Sequence, residues 1–95
     1  MLKHKGIYAY IQICLLFHLH LVNKIRDREL LDRFGRHLKS LREAKGLSQE
    51  KLANLCDVTI SQISRIERGQ VNTTISTLEV LAKALEISRS ELMDF

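Results

Sequence analysis

The stretch from Ser48 to Gly69, SQEKLANLCDVTISQISRIERG, constrains this chain more than any other. Apolar residues fall there in two short runs at helical spacing, Leu52-Ala53-Cys56 and Ile63-Ile66, with little but Asp57-Val58 to join them. Each run has its own start signal. Ser48 precedes the first, and a serine hydroxyl at that position accepts from the free N–H groups of the first turn. Thr59 precedes the second, and Thr59 with Gln62 has the spacing of a capping box. Gly69 ends the second helix with a residue free to take positive φ. Two helices that cross steeply after so short a turn must touch near their middles, which requires a small residue there. Ala53 is placed to receive Ile63. With Val58, Ile63 and Ile66 turned inward, Thr59, Ile60, Ser61, Gln62, Ser64, Arg65 and Arg68 remain for the outer face.

An exposed helix whose first turns carry hydroxyl, amide and guanidinium groups is suited to reading base edges in a DNA major groove. The stretch resembles the DNA-binding helix-turn-helix of the phage-repressor family, the Cro-like or XRE type. The matching residues are Ser48-Gln49, Leu52-Ala53, Val58 and the closing Ile63-Ser64-Arg65-Ile66-Glu67-Arg68-Gly69. The resemblance runs from about Phe34 to Phe95. It implies an all-α, five-helix lambda-repressor-like DNA-binding domain. Its implied function is sequence-specific binding of double-stranded DNA as a small transcriptional regulator, with helix 59–68 in the major groove and the protein a homodimer on two half-sites.

By position, Ile60, Ser61 and Arg65 match the family's base-contacting sites, with Thr59, Gln62 and Ser64 beside them. Arg65 is the residue for a bidentate contact to guanine O6 and N7. Ile60 departs from the polar residue often found there. Gln49 matches a glutamine that binds backbone phosphate and braces the reading helix. Arg68, Gln70, Asn72, Thr73 and Thr74 are placed for further backbone contacts, which fix register without reading sequence. Arg42 and Glu67 match an Arg–Glu pair that links the first helix to the end of the reading helix. Asp57 stands where the turn commonly has glycine, and aspartate tolerates left-handed backbone better than most residues.

Before the motif, Leu31, Phe34, Leu38 and Leu41 recur at three and four, a helical stripe running to about Lys45 and stopped by Gly46. Its other faces are basic, and Arg36 and Lys39 are candidate phosphate contacts. Asn23 to Asp32 reads as a charged junction ahead of this helix. After the motif comes a polar loop, Gln70 to Ile75. Ser76 with Glu79 then forms an expected capping box for a fourth helix lined by Leu78, Leu81, Ala82 and Leu85. Ser88 with Glu91 opens a short fifth helix carrying Leu92 and Phe95.

Residues 1–26 lie outside the pattern, so the expected division is an apolar N-terminal extension, 1–26, and a helix-turn-helix domain, 27–95. The run Ile7 to Val22 is almost wholly apolar and is read as helix. Three roles stay open for it: a packing or oligomerisation element, an extension upstream of the natural start, or a membrane anchor. It is short for a membrane span, and Gln12, His18 and His20 would be costly in lipid. Cys14, His18 and His20 are three metal-type side chains without a fourth, a poor zinc site, so no metal is expected.

The formal net charge of +4 is uneven. Residues 1–45 hold ten Lys/Arg against four Asp/Glu, and residues 46–95 hold five against seven. A basic half suits a polyanion. Two distant cysteines make no disulfide framework and fit a reducing, cytoplasmic setting. No glycine-rich phosphate loop or nucleophile–base set is present, so catalytic residues and cofactors are not expected. The rival readings are an antitoxin-type or accessory module that chiefly holds a protein partner, and a membrane-associated regulator anchored by residues 7–22. Dimer contacts would come from Leu92, Met93 and Phe95 or from the N-terminal segment.

Overall fold

A computed structural model describes residues 11–13, which are helical, and residues 27–95. The latter form five helices: α1 (Arg28–Ala44), α2 (Gln49–Cys56), α3 (Ile60–Glu67), α4 (Ile75–Leu85) and α5 (Arg89–Leu92). The rest of the N-terminal segment, with Cys14, His18 and His20, lies outside the described residues.

α1 begins earlier than its apolar stripe suggests. The Asp27 carboxylate accepts from Leu30 N–H at 3.1 Å, and Glu29 in the first turn complements the helix dipole. The expected junction up to Asp32 is therefore already helical from Arg28. At the far end Gly46 takes φ +69° and turns the chain. α2 starts where Ser48 Oγ accepts from Lys51 N–H at 3.0 Å. It ends at Asp57, which adopts the left-handed conformation at φ 56°, ψ 45°. Val58 N–H then donates to Ala53 O at 3.0 Å, closing the turn. The box that opens α3 is reciprocal: Gln62 N–H donates to Thr59 Oγ1 at 3.1 Å and Thr59 N–H donates to Gln62 Oε1 at 2.9 Å.

The start of α4 corrects the expectation. Thr74, not Ser76, is the cap, and its Oγ1 accepts from Thr77 N–H at 3.2 Å. The Glu79 carboxylate does not reach back to a cap. It is paired with Arg89 of α5 and lies 3.8 Å from Lys83 Nζ. Thr74 and Ser76 are both hydroxyl residues suited to a cap, and Thr74 is the one used. α4 ends at Glu86, a second non-glycine residue in left-handed conformation at φ 56°. Ser88 caps α5 through Glu91 N–H at 3.1 Å.

The core gathers Phe34 and Leu38 from α1, Leu52, Ala53 and Cys56 from α2, and Ile63 and Ile66 from α3. Leu81, Ala82 and Leu85 of α4 and Leu92 of α5 complete it. Ala53 and Ile63 are both buried, as the crossing requires, and Val58 packs half-buried against this core. Burial also raises the pKa of the Cys56 thiol, because the thiolate would be desolvated. α1 packs on α3 and α5, α2 on α3 and α4, and α4 on α5.

The C-terminal residue is tied to α1. The Phe95 ring lies 5.6 Å from Phe34 and 5.7 Å from His37, with the Arg33 guanidinium 5.7 Å from its centre. His37 Nε2–H donates to Glu91 O at 2.9 Å. Leu92 and Phe95 are thus used inside the fold, and of the three expected dimer contacts only Met93 stays exposed. No helix among the described residues is long and apolar enough to cross a membrane.

Candidate nucleic-acid interface

The reading face follows from the two residues of α3 that must be buried. Successive side chains on an α-helix turn by about 100°. Ile63, Ile66 and Glu67 point inward, so Ser61, Arg65 and Arg68 project on the opposite side. All three are exposed. Gln62 and Ser64 lie on the two flanks, Gln62 exposed and Ser64 half-buried. Ile60 is turned toward the buried side and still keeps 47% of its surface exposed.

The polar groups on this face are unequally free. Gln62 Oε1 is committed to Thr59, which leaves its Nε2–H₂ group for other partners. Arg68 Nε–H donates to Ser64 O at 3.2 Å, folding that side chain back on the last turn. Among the described residues, the Arg65 side chain makes no hydrogen bond or ion pair. Of the two guanidinium groups on the outer face of α3, it is the one without a partner among the described residues.

Beneath this face, one carboxylate ties three helices together. Glu67 Oε2 accepts from Arg42 Nε–H at 2.6 Å and Oε1 from Arg42 Nη2–H at 3.0 Å. Gln49 Nε2–H donates to Oε1 at 3.0 Å. Arg42 Nη1–H reaches Leu47 O at 2.8 Å. Only 9% of the Arg42 side chain and 3% of the Glu67 side chain are exposed. The Glu67 hydrogen bond, outweighing desolvation, raises the Arg42 pKa further.

Two glycines permit this assembly, Gly69 expected from the sequence and Gly35 not. Gly69 closes α3 at φ +70°, and a Cβ there would come within 2.9 Å of the Asp32 Cα. Gly35 lies in the middle of α1, where glycine weakens a helix. A Cβ at Gly35 would lie 2.6 Å from Ile66 O and closer still to Glu67 O. The two backbones approach at that point, so α1 braces the C-terminal end of α3. A glycine inside a strong apolar stripe is the signal that marks such an approach.

The expected phosphate contacts divide by position. Arg36 and Lys39 are exposed on the flank of α1 next to the Gly35–Arg42 strip. Lys39 Nζ also lies 4.0 Å from Glu43 Oε1, an exposed pair. Gln70 and Asn72 are exposed in the loop after α3, but the Thr73 hydroxyl is buried and unpartnered among the described residues. Among those residues no group of three or more His, Cys, Asp or Glu side chains is arranged to hold a metal ion.

Comparison with known proteins places this geometry. Residues 38–92 match a family model described as Helix-turn-helix. The chain is similar to control protein C.BamHI of Bacillus amyloliquefaciens, 41% identical over 63 residues covering 65% of this chain and 78% of that protein. It is also similar to the HTH-type transcriptional regulator PuuR of Escherichia coli, 44% identical over 57 residues, 60% of this chain and 31% of PuuR. Among solved structures, the restriction-modification controller protein C.AhdI of Aeromonas hydrophila superposes with a TM-score of 0.64 at 47% identity. That superposition covers 65% of this chain and 90% of C.AhdI.

Proposed function

The chain belongs to the phage-repressor-like (XRE) helix-turn-helix family of DNA-binding transcription regulators, and on that footing we propose that it reads the major groove of double-stranded DNA with α3, as a cytoplasmic homodimer. The observation that carries this reading is the free, exposed Arg65 guanidinium beside Ser61, on a helix locked at both ends. An arginine so placed presents its planar fork to guanine. Thr59, Ile60, Gln62 and Ser64 border it, and the half-exposed Ile60 side chain suits a thymine methyl. Gln49, Arg68, Gln70, Asn72, Arg36 and Lys39 supply the backbone contacts. Thr73, whose hydroxyl is buried, is the weakest of the candidates expected for such contacts. No catalysis is assigned.

One such helix covers only a few base pairs, so specificity calls for two half-sites about one helical turn apart. Ile75, 85% exposed at the start of α4, and Met93, 47% exposed after α5, line one groove with Leu78 and Leu92. An apolar groove of this kind suits burial against a second copy. C.BamHI and C.AhdI are named as controllers, and the match spans most of each. That favours a regulator of the restriction–modification controller kind.

The test is Arg65→Ala on the preferred duplex. The loss should be about 1–3 kcal/mol, with relaxed discrimination at one base position. An equal loss on every duplex would make Arg65 a phosphate contact and remove the central support of this reading.

A further inference from the structure

Between α3, the loop that follows it and α4 the fold leaves an open cleft of about 410 Å³, inside the range of small-molecule sites, about 300–1,000 Å³. Ile66 and Leu81 are buried at its floor, and Val58 and Val71 are half-buried in its walls. Val80 of α4, 39% exposed, lines it as well. Gln62 and Arg65 bring α3 to the same cleft. The Arg65 guanidinium and the Gln62 Nε2–H₂ group have no partner among the described residues, and no Asp or Glu lines the cleft. An apolar floor beside an unpaired cation is complementary to an anion that carries an apolar body. The guanidinium fork takes a carboxylate through two parallel hydrogen bonds. The rest of such a molecule would remove the surface of Val58, Val71 and Val80 from water. The DNA backbone offers anionic oxygens but no apolar body for this floor.

We propose that the cleft binds a small organic carboxylate with an apolar body, and that the bound molecule takes Arg65 away from the base edges. The binding stands on the cleft alone, and its effect on DNA rests on the reading of α3 given above. Ligand and guanine need the same guanidinium, so occupancy of the cleft and recognition of the preferred duplex exclude each other. The protein then releases that duplex when such a carboxylate accumulates.

The probe is octanoate added to the full-length protein. Acetate has the head without the body, and octanamide has the body without the charge. In heteronuclear NMR spectra of the DNA-free protein, octanoate should shift the amides of Val58, Val71 and Val80 saturably, with a midpoint of about 1 mM for so small a ligand. Octanamide should bind about tenfold more weakly, for want of a charged hydrogen bond, and acetate should shift none of the three. Arg65→Gln should reduce octanoate to the affinity of octanamide. Octanoate at about ten times its midpoint should weaken binding to the preferred duplex about tenfold, relative to equal acetate, which keeps the ionic strength the same. Val80→Phe fills the cleft from α4. It should keep the helical circular dichroism and the affinity for the duplex, and abolish both the shifts and the competition. Val80→Asp, which sets a carboxylate in the cleft without added bulk, should do the same. Absence of saturable shifts, or equal binding of octanamide, would overturn the proposal. Saturable shifts with undiminished binding to the duplex would overturn the coupling through Arg65. Folded Val80 variants that bind every duplex less well would overturn it in favour of a groove that receives the DNA backbone. A wild-type protein that prefers no duplex would refute the DNA reading, and the octanoate shifts would still decide the cleft.

Discussion

Glu67→Ala tests the junction under the reading helix. The substitution removes the acceptor of three hydrogen bonds and leaves Arg42 buried with its charge. Arginine does not shed its proton in proteins. The stranded guanidinium keeps only Leu47 O and a 4.0 Å approach to Glu43 Oε1. Breaking a desolvated pair on one side costs about 3–5 kcal/mol, whereas an exposed pair is worth under about 1. A domain of this size loses about 4–8 °C per kcal/mol, so the melting temperature should fall by at least about 12 °C. Urea unfolding followed by circular dichroism gives the free-energy change directly. The paired replacement Arg42→Met with Glu67→Leu removes both charges and fills the space, and should be close to neutral in stability. A loss under about 1 kcal/mol for Glu67→Ala would refute the reasoning, because the pair would then behave as a solvated surface bridge.

Other consequences are equally open to measurement. Gly35→Ala drives a methyl group into the backbone carbonyls of Ile66 and Glu67, and chemical denaturation should show a loss of about 1–3 kcal/mol; a neutral result would show that α1 and α3 are free to separate. Ile75→Asp should leave the protein monomeric in sedimentation velocity where the unaltered chain sediments as the proposed homodimer, with the helical circular dichroism kept, and an unchanged sedimentation coefficient would place the dimer contact elsewhere. Deleting residues 1–26 should leave a cooperatively folding helical domain, since Asp27 already caps α1; loss of the unfolding transition would make the apolar segment part of the core.

The helix-turn-helix was legible because each of its instructions is local. Ser48, Thr59 and Gln62 cap, Asp57 turns and Ala53 makes room, and each acts within a few residues of its own position. Boundaries failed where two local signals competed. Thr74 and Ser76 both suit an N-cap, and Thr74 is the one used, while Glu79, expected to complete a box, pairs with Arg89 ten residues on. Asp27 was hidden in a charged run in which no apolar period marked the start of a helix. The importance of Gly35 is a property of two backbones meeting, and nothing next to it in sequence announces α3. Exposure divided the candidate site further. Arg65 and Ser61 share the outer face that helical periodicity assigns them, and the resemblance implied that Gln49 braces the reading helix, as its bond to Glu67 does, but no pattern in the sequence turns the Thr73 hydroxyl inward.

Selection from a randomised duplex pool at near-physiological salt shows whether α3 recognises DNA sequence-selectively. The full-length protein should enrich an inverted repeat with half-sites about ten base pairs apart, and Arg65→Ala should erase the preference for one base in each half. Recovery of no sequence above the salt-sensitive binding shown by any basic protein would mean that α3 does not read DNA sequence.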